Sequence, residues 1–503
     1  MTGLLDGPVA GAVGPWLSGI YFALLGVLSV YGLHRFQLLI LYSRGRRRPA
    51  RIPSRLENRP SVTVQLPLYN ELYVAGRLIE AAAAFDWPRD RLEIQVLDDS
   101  TDGTSEVAGR AVAAARARGV DIHHIRRSRR EGFKAGALAE GMERSRGEFL
   151  AVFDADFVPA PDFLLRLMPE FADPAVGMVQ ARWEHLNRDW SLLTRVQALL
   201  LDGHFVIEHA ARCASGRFFN FNGTGGIWRR SCVESAGGWQ HDTLTEDLDL
   251  SYRAQMRGWR FVYLPGASAP AELPVEMEAF LGQQHRWAKG SIQTARKLLV
   301  PILRAPLPVK VKAEAFLHLT ANVSYPLMLV LSLLVFPVMM HRQRHPFGSP
   351  LFLDLPLFFL STGAVGTLYA SSQRALGRSV WKTLALLPAM MAVGVGLSVS
   401  NSGAVLEGLW RRGGEFRRTP KYKIEGASQR TPLPRIYSAR RRRPPFVETV
   451  LALAFSAALI AAAEAGLWHA IPFLALFWWG YSFTTVLSLV QDFGTPSERA
   501  RSG

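Results

Sequence analysis

Apolar positions along this chain fall into two regimes, unbroken runs and short alternating segments. Pro15 to Leu33 is a run of 19 residues without a charge, close to the ~20 apolar residues that a helix needs to cross a bilayer. No basic segment precedes it and no small-residue cleavage site follows, so it reads as an uncleaved anchor rather than a signal peptide. From Arg51 to about Val300 the pattern changes. Short apolar runs at Ser61 to Leu66, Leu92 to Leu97, Ile122 to Ile125 and Phe149 to Phe153 predict strands, and Ala-, Arg- and Glu-rich helical stretches separate them. That rhythm predicts a largely parallel sheet with helices on both faces. Ligands of such sheets sit beyond the C-terminal ends of the strands.

Long apolar runs then return. Phe316 to Met340, Leu351 to Ala370, Thr449 to Trp468 and Ala470 to Val490 are predicted spans. A fifth stretch, Leu384 to Leu409, carries Gly394, Gly396, Ser398, Ser400, Asn401, Ser402, Gly403 and Glu407, which makes it a poor span. Charge placement orients the whole. Arg44 and Arg46 to Arg48 follow the anchor, and twelve Lys and Arg residues lie between Arg411 and Arg443. Basic residues collect in cytoplasmic loops, so the N-terminus is expected outside and the α/β segment inside. A crossing at 384–409 would place the twelve-charge segment outside, so that stretch is predicted to be an interfacial helix on the cytoplasmic surface. Two arginines near Arg342, in a loop expected outside, run against the bias.

The same placement decides what the net charge of +16 means. A basic excess beside apolar spans points to a lipid bilayer as partner, not to nucleic acid. In 503 residues, 49% are hydrophobic and 20% charged, the balance of a mixed soluble and membrane protein. Cys213 and Cys232 are the two cysteines; in a cytosolic segment they predict neither a disulfide nor a zinc site. The expected division is an anchor with basic flank over 1–50, a cytosolic catalytic domain over 51–300, transmembrane and interfacial helices over 301–410, a basic cytosolic loop over 411–445, a transmembrane hairpin over 446–492 and a tail over 493–503.

Five short motifs carry candidate chemistry. Asp98-Asp99-Ser100-Thr101-Asp102-Gly103 follows the second strand; its carboxylates can accept from a ribose hydroxyl or a base N–H, or cap the next helix. Asp154-Ala155-Asp156 follows the fourth strand. Two acids one residue apart on an extended segment point the same way and suit Mg²⁺ or Mn²⁺, or form an acidic turn. Thr245-Glu246-Asp247, followed by Asp249 and Arg253, offers a general base for an acceptor hydroxyl, or an N-cap with acids in a helix's first turn. Gln283-Gln284-His285-Arg286-Trp287 joins an aromatic face for a sugar ring to a guanidinium for a diphosphate, or is an amphipathic surface helix. Phe416-Arg417-Arg418-Thr419-Pro420-Lys421 in the basic loop can close over a diphosphate, or is a positive-inside loop with no catalytic duty.

Their order is more specific than any one of them. The chain resembles the processive family-2 glycosyltransferases of the cellulose synthase superfamily, in which Asp-Asp, Asp-x-Asp, Thr-Glu-Asp, Gln-x-x-Arg-Trp and Phe-x-Val-Thr-x-Lys follow in that sequence. The resemblance runs from about Pro67 to Lys423, with one departure: Arg418 stands where Val is usual. Gln180-Ala181-Arg182-Trp183, Phe221-Asn222-Gly223-Thr224, Gly237-Gly238-Trp239 and Glu415 to Lys421 look like the cellulose-synthase-like A and C groups and their bacterial relatives. Those groups make β-1,4-mannan, glucomannan or a β-1,4-glucan.

The resemblance implies a GT-A type, nucleotide-sugar-binding α/β domain with a mostly parallel sheet, combined with an α-helical transmembrane region. It implies that Asp98 and Asp99 meet the nucleoside, that Lys134 approaches the nucleotide, and that Asp154 and Asp156 bind nucleotide and Mg²⁺ or Mn²⁺. Asp247 is the expected general base, with Asp156 and Glu246 beside it in the catalytic set. Gln283, Arg286 and Trp287 would hold the acceptor end and the diphosphate, while Phe416, Thr419 and Lys421 would gate the bound donor. Pro67-Leu68-Tyr69-Asn70-Glu71 matches the usual first nucleotide-binding loop, and Phe221 to Thr224 would sit near the acceptor terminus. The expected reaction is a single inverting displacement that adds hexose from UDP-glucose or GDP-mannose to a growing polysaccharide. His318, Asn322 and Tyr325 are spaced to line an export path or to bond neighbouring helices. The rivals are a non-processive transferase acting on a lipid carrier and a non-catalytic export scaffold. An Ala- and Arg-rich composition favours a bacterial cytoplasmic membrane; a eukaryotic source would place the chain in the Golgi membrane.

Overall fold

The computed structural model describes residues 8–47, 58–345, 354–411, 413–414, 418–426 and 445–493. The four predicted strands are present as β1 (Val62–Leu68), β2 (Leu92–Asp98), β3 (Ile122–Arg126) and β4 (Phe149–Val152). β2 and β4 are buried along their whole length and β1 at all but one position, as expected of strands covered on both faces. Three more strands complete the sheet: β5 (Val176–His185), β6 (Gly226–Arg229) and β7 (Arg260–Ala271). The order is β3-β2-β1-β4-β6-β5-β7. Only β6 runs against its neighbours; β1, β2, β3 and β4 pair in parallel, as do β5 and β7.

Two apolar cores flank the sheet. One holds Val64, Leu66, Ile94, Phe153 and Phe163. The other holds Leu138, Phe205, Phe221, Trp228 and Leu250 on the opposite face. Each fully buried side chain of this size stabilises the domain by roughly 1.5–3 kcal/mol. The strand ends that the cores fix are the platform for the acidic loops.

Among the described residues five helices are long and apolar enough to cross a membrane: Gly14–Arg46, Ala321–Arg344, Val380–Trp410, Phe446–Glu464 and Ile471–Gln491. Two sequence expectations change here. The span predicted from Phe316 starts later: the helix Val309–Leu319 ends at Thr320 and a new one runs Ser324–Arg344. His318 sits before that break, and its Nδ1 lies 2.8 Å from the Tyr252 hydroxyl, so it joins helices rather than facing a path. The stretch from Leu351 is described only from Asp354. It forms the helical pieces Asp354–Phe358, Phe359–Gly363 and Ala364–Ala375, and it is not among the five.

The stretch read as a poor span lies within a 31-residue helix, Val380–Trp410. Its polar positions face protein: Ser398, Asn401 and Ser402 are buried. Both ends of this helix meet the α/β domain and its amphipathic helix Met277–Arg304. Just before it, Arg378 Nη1 pairs with Asp202 at 2.6 Å. Met390, Val393 and Leu397 pack with Leu193, Val196, Met277 and Phe280. At its far end, Glu407 pairs with Lys289 at 3.1 Å, and Arg296 donates to the Leu409 carbonyl at 2.7 Å.

Candidate active site

A cleft opens at the C-terminal ends of β1, β2 and β4, where the first three acidic loops converge. Helix Met277–Arg304 closes one side. Gln283, Arg286 and Trp287 lie three and four residues apart on it, hence on one face, and all three line the cleft. That helix approaches closely because position 290 is glycine. A Cβ there would stand 2.9 Å from the Thr245 backbone nitrogen.

One end of the cleft is built around Asp99. Arg127 grips its carboxylate at two points, with Nε 2.8 Å from Oδ1 and Nη2 on Oδ2. Arg130 lies over the Tyr69 ring, 3.3 Å from its centroid, and 4.8 Å from that of Phe133. Asp98 behaves differently. Its buried carboxylate accepts from the Ser100 backbone N–H at 2.9 Å and the Ser105 hydroxyl at 2.5 Å, and lies 2.9 Å from His124 Nε2. Burial opposes its ionisation, but the bonds from His124, Ser100 and Ser105 outweigh it and hold the carboxyl near about 2. Asp98 does not line the cleft; it fastens the loop that presents Asp99.

Asp154 and Asp156 both face the cleft, each against a lysine. Lys134 Nζ lies 2.5 Å from Asp154 Oδ1, and Lys421 Nζ lies 2.8 Å from Asp156 Oδ2. Among the described residues no group of three or more His, Cys, Asp or Glu is gathered to hold a metal ion. Asp154 and Asp156 are oxygen donors of the kind that Mg²⁺ and Mn²⁺ prefer, and could hold such an ion between them.

Thr245 stands at the N-cap position of the helix Glu246–Met256, but its side chain makes no capping hydrogen bond, unlike the capping role its spacing allowed. The first turn of that helix holds Glu246, Asp247 and Asp249 beside the positive end of the dipole. Asp249 is consumed structurally, paired with Arg253 at 2.7 Å and Lys297 at 2.9 Å. Asp247 faces the cleft. Burial, then the neighbouring Glu246, push its carboxyl up to about 8, against the pull of Lys134. Arg286 is recessed beside Asp154 and Glu246, and burial lowers its guanidinium to about 10. Its Nη2 reaches the Thr419 hydroxyl at 3.2 Å.

Thr419 and Lys421 belong to a segment, residues 418–426, that lies across the cleft. Lys421 also donates to the Glu272 carbonyl, the Tyr422 N–H donates to Glu272 Oε1 at 2.7 Å, and the Tyr422 hydroxyl donates to Glu276 at 2.9 Å. Phe416, the first residue of that motif, lies outside the described residues. The structure thus brings together Asp99, Lys134, Asp154, Asp156, Glu246, Asp247, Gln283, Arg286, Trp287, Thr419 and Lys421, and sets Asp98 apart.

Several cleft residues have no task of their own that their spacing points to. Glu71 is one: it ends the loop matched at Pro67 to Glu71, but a single acid after a strand has no diagnostic spacing. Burial raises it to about 8, with Arg418 3.0 Å away pulling it down. Arg130, Trp183 and His185 also line the cleft.

Residues 60–290 match the family model described as "Glycosyltransferase like family 2". The chain is 45% identical over 251 residues to a probable glucomannan 4-beta-mannosyltransferase 7 of Oryza sativa subsp. japonica, covering 49% of this chain and 43% of the relative. It is 45% identical over 252 residues to the glucomannan 4-beta-mannosyltransferase 2 of Arabidopsis thaliana, covering 49% and 47%. The chain thus spans about half the length of the curated relatives it matches. Among solved structures, the mannosyltransferase PcManGT from Pyrobaculum calidifontis, in complex with GDP-Man and Mn²⁺, superposes over 78% of this chain and 99% of its own. The TM-score is 0.55 and the identity 22%, a likeness of fold. The α/β domain accordingly has the GT-A type fold, and residues 60–290 are similar to the glycosyltransferase like family 2.

Proposed function

We propose that this protein is a membrane-embedded inverting hexosyltransferase that extends a β-1,4-linked mannan or glucomannan, with GDP-mannose as donor. One observation carries the reading. Lys134 Nζ touches Asp154 at 2.5 Å and Glu246 at 3.9 Å, so the acids of the donor side and those of the acceptor side share one cleft. The names of the 45%-identical relatives and the GDP-Man in the solved neighbour support mannose over glucose.

Each residue then has a task. Asp99, held by Arg127, meets the nucleoside. Lys134, Arg286 and Lys421 face the diphosphate, and their cationic heads offset the charge that builds as it leaves. Asp154 and Asp156 would hold Mg²⁺ or Mn²⁺, which supplies Lewis-acid charge against the same leaving group. Gln283 and Trp287 seat the acceptor's terminal sugar. Asp247 takes the proton from the acceptor's C4 hydroxyl as that oxygen attacks the anomeric carbon from the face opposite the diphosphate. One displacement inverts the centre, and no protein nucleophile is required.

The helix Val380–Trp410 then lies along the cytoplasmic face. Its contacts with the catalytic domain at both ends support that placement, which keeps the basic segment inside. To test the function, membranes carrying the full chain are offered labelled GDP-mannose and UDP-glucose in separate reactions with Mn²⁺ or Mg²⁺. Label from GDP-mannose in high-molecular-weight product is expected. Label confined to a lipid extract would replace this reading with a lipid-linked transferase, and polymer from UDP-glucose alone would replace the mannan by a glucan.

A further inference from the structure

Among the described residues of the catalytic domain, Gly203–His209 is a π-helical segment, which joins Leu192–Asp202 to Ala210–Ser215. Such widened turns commonly sit at functional sites. This one brings His204 and His209 against Asn222, which lines the cleft beside Gly223, and Glu208 against His204. Gly223 is itself next to the general base: a Cβ there would stand 3.1 Å from Asp247 Oδ2.

The polarity of every hydrogen bond in this group is fixed by its two ends. At one end His209 Nε2 lies 3.0 Å from the Asn220 backbone carbonyl, which can only accept, so Nε2 carries the proton. The same N–H faces Asn222 Oδ1 at 2.7 Å. The Asn222 amide cannot be reversed, because its NH₂ would then meet a donor. Its Nδ2 therefore donates to His204 Nε2 at 3.0 Å. His204 must accept there, so its proton sits on Nδ1 and points to Glu208 Oε2, 3.2 Å away. Glu208 can only accept, and Arg212 Nη1 at 3.1 Å holds it. His209 is fully buried, and burial, then His204 and Arg212, keep it from taking a second proton.

We infer that His204 and His209 are positioning residues that lock the Asn222 amide, so that its second N–H donates to a hydroxyl oxygen of the acceptor sugar beside Asp247. Asn222 is the reader; the two histidines, backed by Glu208, set its direction. This rests on the glycosyltransferase reading of the cleft. To the stretch Phe221 to Thr224, expected near the acceptor terminus, it adds a set of positioning residues remote in sequence from the five motifs.

The test compares His204→Phe, which keeps a ring but no acceptor atom, with His204→Gln, whose side-chain oxygen can accept from Asn222. Both are made in the full chain in membranes. Initial rates are measured against GDP-mannose and, separately, against mannan oligosaccharides as acceptor. Loss of one oriented hydrogen bond predicts an apparent acceptor KM about 10-fold higher in His204→Phe, an unchanged donor KM, and recovery to near wild type in His204→Gln. Equal loss in both variants, or a rise in donor KM as large as that for acceptor, would mean a merely structural role and overturn the assignment. An unchanged acceptor KM in His204→Phe would do the same. A wild-type chain that transfers no mannose fails at an earlier step, and then the function itself falls, with this inference.

Discussion

Lys421 Nζ lies 2.8 Å from Asp156 Oδ2, which ties the basic segment to the acidic turn 265 positions earlier. With Lys134 on Asp154, each carboxylate of the pair is neutralised by a lysine that a diphosphate and its cation can draw away. Replacing Lys421 by Met leaves Asp156 without that partner. Polymerisation is expected to fall by about 10²-fold, the scale of losing one charged stabiliser of a transition state. Initial rates at saturating donor and cation check this.

Gly223 gives a sharper steric case. Its φ is +82°, and an added Cβ would stand 3.1 Å from Asp247 Oδ2 and 3.4 Å from Lys134 Nζ. Gly223→Ala should lower the polymerisation rate by about 10- to 100-fold through strain and a displaced base. Gly266→Ala, with nothing within 4 Å of its Cβ, is the control and should match wild type.

Arg418 is placed to hold the basic segment down through Glu71, at 3.0 Å. Arg418→Val removes the guanidinium and leaves Glu71 without this partner. The donor KM should rise roughly 3- to 10-fold with kcat little changed. A donor titration of the two proteins decides it.

Raised carboxyls make a signed prediction for stability. Asp247 and Glu71 move from ordinary values of 3.8 and 4.5 to about 8 in the folded protein. The folded state therefore binds these protons more tightly than the unfolded one. Their stabilising contribution is complete below about pH 4 and is lost as pH rises through about 8. Asp247→Asn removes one of the two. Its unfolding midpoint relative to wild type should be higher at pH 8.5 than at pH 6, measured on ligand-free protein in detergent.

Sequence pattern exposed the half of the sheet that obeys simple rules. β1 to β4 are short apolar runs between helices, and all four lie where alternation puts them. β6 has four residues and includes Gly226 and Arg229, too little pattern to see. β7 contains Pro265, Gly266 and Pro270, which normally mark loops, and its pairing with β5 carries a bulge across Pro265 and Gly266. Motif spacing brought most of the cleft together, because residues after parallel strands converge. It did not separate Asp98 from Asp99, since adjacent carboxylates look alike until one is seen to bond Ser100, Ser105 and His124. Nor did it reveal the relay from Glu208 to Asn222, because a π-turn shifts the helical register that spacing assumes.

The most direct test is polymer synthesis by the full chain in lipid vesicles, with labelled GDP-mannose and Mn²⁺, comparing wild type with Asp247→Asn. Wild-type protein is predicted to yield insoluble labelled polymer that an endo-β-1,4-mannanase degrades. The variant should fold normally and lose about 10²–10⁴-fold in rate, the worth of a general base. Undiminished polymer from Asp247→Asn, or a product resistant to that enzyme, would contradict the assignment of Asp247 as the base of an inverting β-1,4-mannosyl transfer.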